Sequence, residues 1–210
     1  MIINYMDILQ NSKNNQRRIG LTGGIASGKT TITNYIRQHK NIPILDADNL
    51  SKELIKPNTY GYEKILDYFG NNIIDNEKNS EKAINRKLLR KIILKDSESK
   101  EWLEKLLHPL IKEKMIEKCL QYKNKQTIVL VIPLLFEANF EDICTEIWLV
   151  KCPKELQKKR LMTRDKISEK ESYDLINLQL SFEEKRKFSD IILDNSDDHN
   201  QWIKTIRELL

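Results

Sequence analysis

Apolar positions along the chain switch between two spacings. Short aliphatic and β-branched runs at 18–22, 42–45, 127–132, 146–150 and 190–193 predict strands. The run at 127–132 is almost wholly apolar, as expected of a strand covered on both faces in a parallel sheet. Between these runs the apolar residues recur every three or four positions. Ile32, Tyr35 and Ile36 form one helical stripe, and Ile84, Leu88, Leu89, Ile92 and Ile93 a second. Leu103, Leu106, Leu107, Leu110, Ile111 and Met115 form a third, with a helix boundary expected at His108-Pro109 because the residue before proline is pushed from helical angles. Helices are also expected at about 153–163 and 168–188, with a break near Asp165 and Lys166, and through Trp202, Ile203, Ile206, Leu209 and Leu210. Strands alternating with helices imply an α/β fold with a parallel sheet, right-handed crossovers and helices on both faces, so ligands should bind beyond the carboxyl ends of the strands. The stretch at about 51–125 reads as a helical insert in one domain spanning 17–210.

Composition narrows the class. Two hundred and ten residues suffice for one sizeable core without staples. Thirty-six Lys and Arg against 31 Asp and Glu leave +5, mild for a nucleic-acid binder but suited to anionic small ligands. Aromatic residues are not interleaved with basic patches, which argues against a single-strand binding surface. The longest apolar stretch, 128–136, is nine residues with Pro133 inside it, so no membrane span is expected. Cys119, Cys144 and Cys152 are odd in number and lack CxxC spacing. Neither a disulfide framework nor a zinc site is indicated, and a cytoplasmic location is expected. Residues 1–16 are polar and Asn-rich, unlike a secretory signal, and are read as a flexible extension.

Glycine is scarce, yet four of the six glycines fall between Gly20 and Gly28. Within GLTGGIASGKT, Gly23, Gly28, Lys29 and Thr30 complete the phosphate-binding pattern GxxxxGK[ST], between a predicted strand and a predicted helix. The glycines let successive N–H groups turn inward on a phosphate, and the helix start adds its positive dipole end. Lys29 then bridges the β- and γ-phosphates of a nucleoside triphosphate, and Thr30 offers its hydroxyl to Mg²⁺. The spacing excludes the dinucleotide pattern GxGxxG. The nearest text to a guanine-specific NKxD, Asn124-Lys125-Gln126-Thr127, lacks the Asp.

Asp46 and Asp48 fall where the second strand gives way to a helix. A carboxylate there can orient an attacking hydroxyl and accept its proton, and only one of the two is required to face the phosphates or the metal. Asp48 has a second reading, as a cap of the following helix. Arg160 and Arg164, four apart, share a helix face that could close on a polyphosphate, although charged helices of this kind are commonly just solvated. His108 reads first as a helix-end residue and only second as a functional one.

Several further blocks in one order make the text resemble the dephospho-coenzyme A kinase family. They are GLTGGIASGKT itself, LDAD ending at Asp48, LHP ending at Pro109, PLLFE ending at Glu137, and KRLMTRD ending at Asp165. Gln179 with Glu183, Glu184 and Lys185, and SDIILDN ending at Asn195, complete the set. The resemblance covers 18–210. It implies a P-loop NTPase-type three-layer sandwich with a parallel five-stranded sheet, a helical substrate-binding insert and a helical lid at about 155–188. It further implies transfer of the ATP γ-phosphoryl group to the ribose 3′-hydroxyl of dephospho-coenzyme A, the last step of coenzyme A synthesis. ATP and Mg²⁺ are the implied cofactors, with no nucleic-acid or membrane partner. By position, Lys29, Asp46, Arg160 and Arg164 are the catalytic candidates. Gly23, Gly24, Ile25, Ala26, Ser27, Gly28, Lys29, Thr30, Thr31 and Asn195 fall on the nucleotide side, with Asn195 near the adenine. Asp46, Asp48, His108, Pro133 and Leu134 fall on the acceptor side, and Thr30 on the metal.

The sequence departs from the family pattern at Ala26, where Gly is more usual and which a negative φ would accommodate. It departs also at Ser189 in place of Ala and at Leu175 where many members have Arg, and 1–16 have no family counterpart. Rival readings are another P-loop nucleoside or nucleotide kinase, and a nucleotide-switched binding module.

Overall fold

A computed structural model describes residues 16–75, 82–197 and 201–210. Its centre is a five-stranded sheet in the order β2-β3-β1-β4-β5, every pair parallel. The strands are β1 (Arg17–Gly23), β2 (Ile44–Asp46), β3 (Thr127–Val131), β4 (Glu146–Lys151) and β5 (Ile191–Asp194). All five predicted strands are present, shifted by a residue or two at their ends.

Side chains alternate across this sheet. Ile19, Leu21, Val129, Val131, Trp148, Val150 and Leu193 form one buried face, packed with Ile32 and Ile36 of α1 (Lys29–His39) and Trp202 and Ile206 of α9 (Trp202–Leu209). Opposite-face residues Ile128, Leu130 and Leu149 are equally buried, so the strands read as continuous apolar runs because both faces are covered. At the amino ends, Arg17 joins Glu146 through its guanidinium and donates to the Leu209 carbonyl (2.6 Å), while Trp148 Nε1 donates to the same carboxylate (2.9 Å). The expected extension 1–16 lies outside the described residues but for Gln16. That residue is buried, and its amide donates to the carbonyls of Tyr122 (2.7 Å) and Lys125 (3.0 Å). Burial pushes the Cys119 and Cys144 thiols up to about 12, and all three cysteines are free.

Two compact units divide the chain: the described residues of Met1–Asp46 and Lys118–Leu210, which hold the sheet, and Ala47–Glu117. The second is helical, with α2 (Ala47–Leu54), α3 (Tyr60–Phe69), α4 (Arg86–Ile93) and most of α5 (Ser97–Gln121). Its own core contains Ile55, Tyr62, Ile65, Ile73, Ile84, Leu89 and Leu103. Thr59 and Asn85 cap α3 and α4 by accepting from the backbone N–H groups of Tyr62 and Leu88.

Two helical expectations are corrected. α5 runs unbroken through Pro109, so His108-Pro109 is no boundary. An internal proline costs roughly 3 kcal/mol, but Leu103, Ile111, Met115 and Ile116 are buried on the two sides of it, each contributing about 1.5–3 kcal/mol. Lys105, whose carbonyl loses its helical partner at Pro109, is solvent-exposed, which moderates the loss. The segment 168–188 is two helices, α7 (Glu169–Asn177) and α8 (Phe182–Arg186), after α6 (Lys154–Asp165). Each begins with a reciprocal capping box, Ser168 with Glu171 and Ser181 with Glu184, and the second box stops the helical run from continuing through residue 181.

Replacing Pro109 with alanine should restore the missing backbone donor at an exposed site. The expected gain is about 1–2 kcal/mol, seen as a higher denaturation midpoint in urea. A lowered midpoint would mean that the proline ring itself stabilises α5.

Candidate functional site

The five strand ends share one edge of the sheet, and each delivers a candidate residue or loop. β1 runs into the glycine loop, β2 ends on Asp46, β3 leads to Pro133, β4 to Cys152 and Pro153, and β5 to Asn195. The loop turns on left-handed backbone. Gly28 has φ 101° and is the N-cap of α1, and a Cβ there would lie 2.1 Å from Asn195 Nδ2. Gly23 has φ 149°, and a Cβ there would meet Ser27 Oγ and the Val150 carbonyl, each at 2.9 Å. Only glycine meets both demands. Ala26, which a negative φ would accommodate, instead has φ 57°. It carries the strain that a glycine would avoid, about 1 kcal/mol, because the residues on both sides of it are held from outside.

Those restraints come from far along the chain. Asn195, almost fully buried, donates from Nδ2 to the Ser27 carbonyl (2.8 Å), and its Oδ1 accepts from Trp202 Nε1 (3.2 Å). Arg160 Nη1 lies 3.4 Å from the carbonyls of both Ala26 and Ser27. Lys29 Nζ donates to the carbonyls of Gly23 (2.7 Å) and Gly24 (2.9 Å). Gln179 Oε1 accepts from the Ile25 N–H (2.7 Å). Gln157 donates to the Cys152 carbonyl (2.8 Å), and its Oε1 would lie 2.6 Å from a Cβ on Gly24. Loop carbonyls are therefore engaged by Lys, Arg and Asn donors. α1 starts with no side-chain cap and no acidic residue in its first turn, which contains the exposed Thr30 and Thr31. A helix start of this kind favours anions.

The other candidates divide between the two units. Asp46, half-buried, closes β2 opposite Val131 of β3, which in turn pairs with Leu21 of β1. Two strand spacings, roughly 10 Å, thus separate it from the strand that enters the loop. Pro133 accepts from Thr22 Oγ1 (3.3 Å), and Leu134 accepts from the Ala138 N–H (2.9 Å). Arg164 lies on α6 with Arg160, but its guanidinium is paired with Asp165 (2.7 and 2.9 Å) rather than with the loop. Asp48 and His108 belong to the helical unit. Asp48 is the second residue of α2 and exposed, so it sits inside the first turn and is not the N-cap. His108 is half-buried on α5, and burial pushes its imidazole below the usual value against the pull of Glu104.

Three residues in this region received no individual role from sequence. Glu137 Oε1 accepts from the Leu180 N–H (3.0 Å) and lies 2.8 Å from Lys185 Nζ. The Lys185 side chain is 1% exposed and the Glu137 side chain 18%. Gln179 completes this group. The usable signal was the pair of S-x-x-E boxes, which isolates residues 178–181 as a link between helices with polar groups to spend on tertiary contacts.

The family model described as dephospho-CoA kinase matches residues 17–201. The chain belongs to the dephospho-CoA kinase family. A dephospho-CoA kinase of Prochlorococcus marinus (strain MIT 9312) is 84% identical over 98% of this chain and 100% of its own length. Another, of Prochlorococcus marinus subsp. pastoris, is 60% identical over the same shares. Both alignments span 205 residues and so run into the leading segment 1–16, which had been left without a family counterpart. Among solved structures, the dephospho-CoA kinase from Campylobacter jejuni is 30% identical, covering 93% of this chain and 97% of its own, with a TM-score of 0.64. A Thermus thermophilus protein is 27% identical, covering 92% and 96%, with a TM-score of 0.77. Members of the dephospho-CoA kinase family are kinases, which take phosphate from ATP, and the three-layer parallel fold expected from the resemblance is the one observed.

The Glu137–Lys185 pair should respond asymmetrically to truncation, because Lys185 is far more deeply buried. Glu137→Ala strands a buried ammonium and should cost about 3–5 kcal/mol, whereas Lys185→Met, which leaves a carboxylate nearer to water, should cost less than half as much. Urea denaturation of both variants decides it. Equal or reversed losses would mean that the pair does not anchor this segment by charge.

Proposed function

We propose that this chain transfers the γ-phosphoryl group of ATP to the ribose 3′-hydroxyl of dephospho-coenzyme A. The observation that carries the reading is a loop whose carbonyls are engaged by Lys29, Arg160 and Asn195 at an uncapped helix start, on the same sheet edge as Asp46. Such a loop suits a polyphosphate, and a carboxylate at that edge suits an alcohol acceptor.

In this reading the residues Gly23 to Thr31 bind the phosphates. Lys29 exchanges its loop carbonyls for phosphate oxygens, and Arg160 reaches the same region from α6. Asp46 aligns the 3′-hydroxyl and takes its proton as the oxygen attacks the γ-phosphorus and the bond to the bridging β–γ oxygen breaks. Arg164 contributes only if it leaves Asp165. Asn195 shapes the loop beside the nucleotide. Asp48, His108, Pro133 and Leu134 are assigned to the acceptor, Ala47–Glu117 is taken as the acceptor-binding unit, and the helices at about 155–188 as the lid.

Magnesium fits the donor set. A small hard cation needs only one or two protein oxygens beside phosphates, and the exposed Thr30 hydroxyl and the Asp46 carboxylate are oxygens of that kind. Among the described residues no group of three or more His, Cys, Asp or Glu offers a rival metal cage. The ion, when bound, supplies charge neutralisation at the phosphate oxygens. The described residues contain no helix long and apolar enough to cross a membrane.

Purified protein with ATP and Mg²⁺ should convert dephospho-coenzyme A to a product heavier by one phosphoryl group, with 3′-linkage by phosphorus NMR, and chelation should stop it. Lys29→Ala should nearly abolish turnover. Asp46→Asn should retain ATP binding and slow transfer about a hundredfold or more. Preference for another acceptor would overturn the substrate, and near-normal turnover by Asp46→Asn would remove its role as base.

A further inference from the structure

Within Gly23–Thr30, Ile25 has its backbone N–H taken by a side chain from a distant link between helices. Gln179, between α7 and α8, accepts it at 2.7 Å across 154 positions of sequence. The next residue is Ala26, the non-glycine of the loop in left-handed backbone. On its far side the Ser27 carbonyl is held by Asn195. Strained backbone persists only where its surroundings over-determine it, and these two amide side chains restrain its flanks together with Arg160 on the Ala26 and Ser27 carbonyls.

Gln179 borders a cavity of about 270 Å³, shared with Gly24, Gln157 and Lys185, and is tied to the loop by its hydrogen bond to Ile25 and by the anchoring of its backbone. That anchor is built. The neighbouring Leu180 N–H donates to Glu137 Oε1, and the same oxygen lies 2.8 Å from the buried Lys185 ammonium. The Lys185 side chain is only 1% exposed, so this contact joins opposite charges largely away from water. The turn after β3, the link before α8 and α8 itself thus meet at the Glu137 carboxylate, which holds Leu180, the residue next to the glutamine that grips the loop.

We propose that Gln179 is a positioning residue for the phosphate loop, and that through it the docking of the 178–185 segment on Glu137 sets whether the Ile25–Ala26 peptide is in its binding conformation. The proposal rests on the reading of Gly23–Thr30 as the ATP site. The expected consequence of losing the grip is a loop that samples other peptide orientations at Ile25, so that ATP binds less tightly while the sheet stays intact.

The test uses the full chain, with Gln179→Met, which keeps length and volume but cannot accept, and Gln179→Glu, which keeps an acceptor. Amide hydrogen exchange by NMR should be about tenfold faster at Ile25 in Q179M than in the wild type, and unchanged at Leu21 and Val131 in the sheet. Q179E should restore the protection. Calorimetric ATP affinity should fall about fivefold to tenfold in Q179M, with KM for ATP rising more than kcat falls. Ile25 exchange equal in Q179M and the wild type would overturn the proposal, as would lost protection with unchanged ATP affinity, or acceleration at Leu21 and Val131 to the same extent. A Lys29→Ala protein that binds ATP as tightly as the wild type would instead overturn the loop reading, leaving the hold of Gln179 on Ile25 intact.

Discussion

A loop that gathers backbone N–H groups around an anion must turn its carbonyls elsewhere, and here Lys29, Arg160 and Asn195 engage them, Asn195 from farthest along the chain. Asn195 and Ser27, 168 positions apart, are joined at 2.8 Å, and Asn195 is fixed in turn by the indole of Trp202. The bond requires β5 to end beside the loop, which requires the sheet order, which requires the apolar faces that α1 and α9 cover. Gly28 is a consequence of the same contact, since any Cβ would strike the Asn195 amide. Arg160 and Lys29 add cations to neighbouring carbonyls, and the strained Ala26 is tolerated because it lies between fixed points.

The helical unit is organised on different terms. Its core is made within Ala47–Glu117, and its longest element carries a proline through the middle because burial along the stripe exceeds the lost hydrogen bond. A parallel sheet edge, where phosphate chemistry is favoured, is thus combined with a unit whose fold is maintained separately.

What was legible in the sequence is what depends on local pattern. The five strands, the glycine loop and the stripe helices announce themselves in short runs of sequence, and the strand-end carboxylate at Asp46 follows from where β2 stops. The errors fall where distant contacts decide. Pro109 looks like a boundary because only the local rule is visible in sequence, and the helix expected over 168–188 is divided by a second capping box at Ser181. The backbone of Ala26 is set by Gln179, Arg160 and Asn195, none within a hundred residues of it. Gln179 and Lys185 were visible as family text, yet their joint use of Ile25 and Glu137 has no signature at short range.

The central claim is that tertiary hydrogen bonds hold the phosphate loop in its binding shape before ATP arrives. A crystal structure of the full chain with a non-hydrolysable ATP analogue and Mg²⁺ tests it most directly. The expected result is the β-phosphate within the curve of Gly23–Thr30, with Ala26 still left-handed and Asn195 still on the Ser27 carbonyl, and only Lys29 and Arg160 turned from carbonyls to phosphate oxygens. A triphosphate bound away from this loop, or a loop refolded with the Asn195 contact broken, would contradict the account.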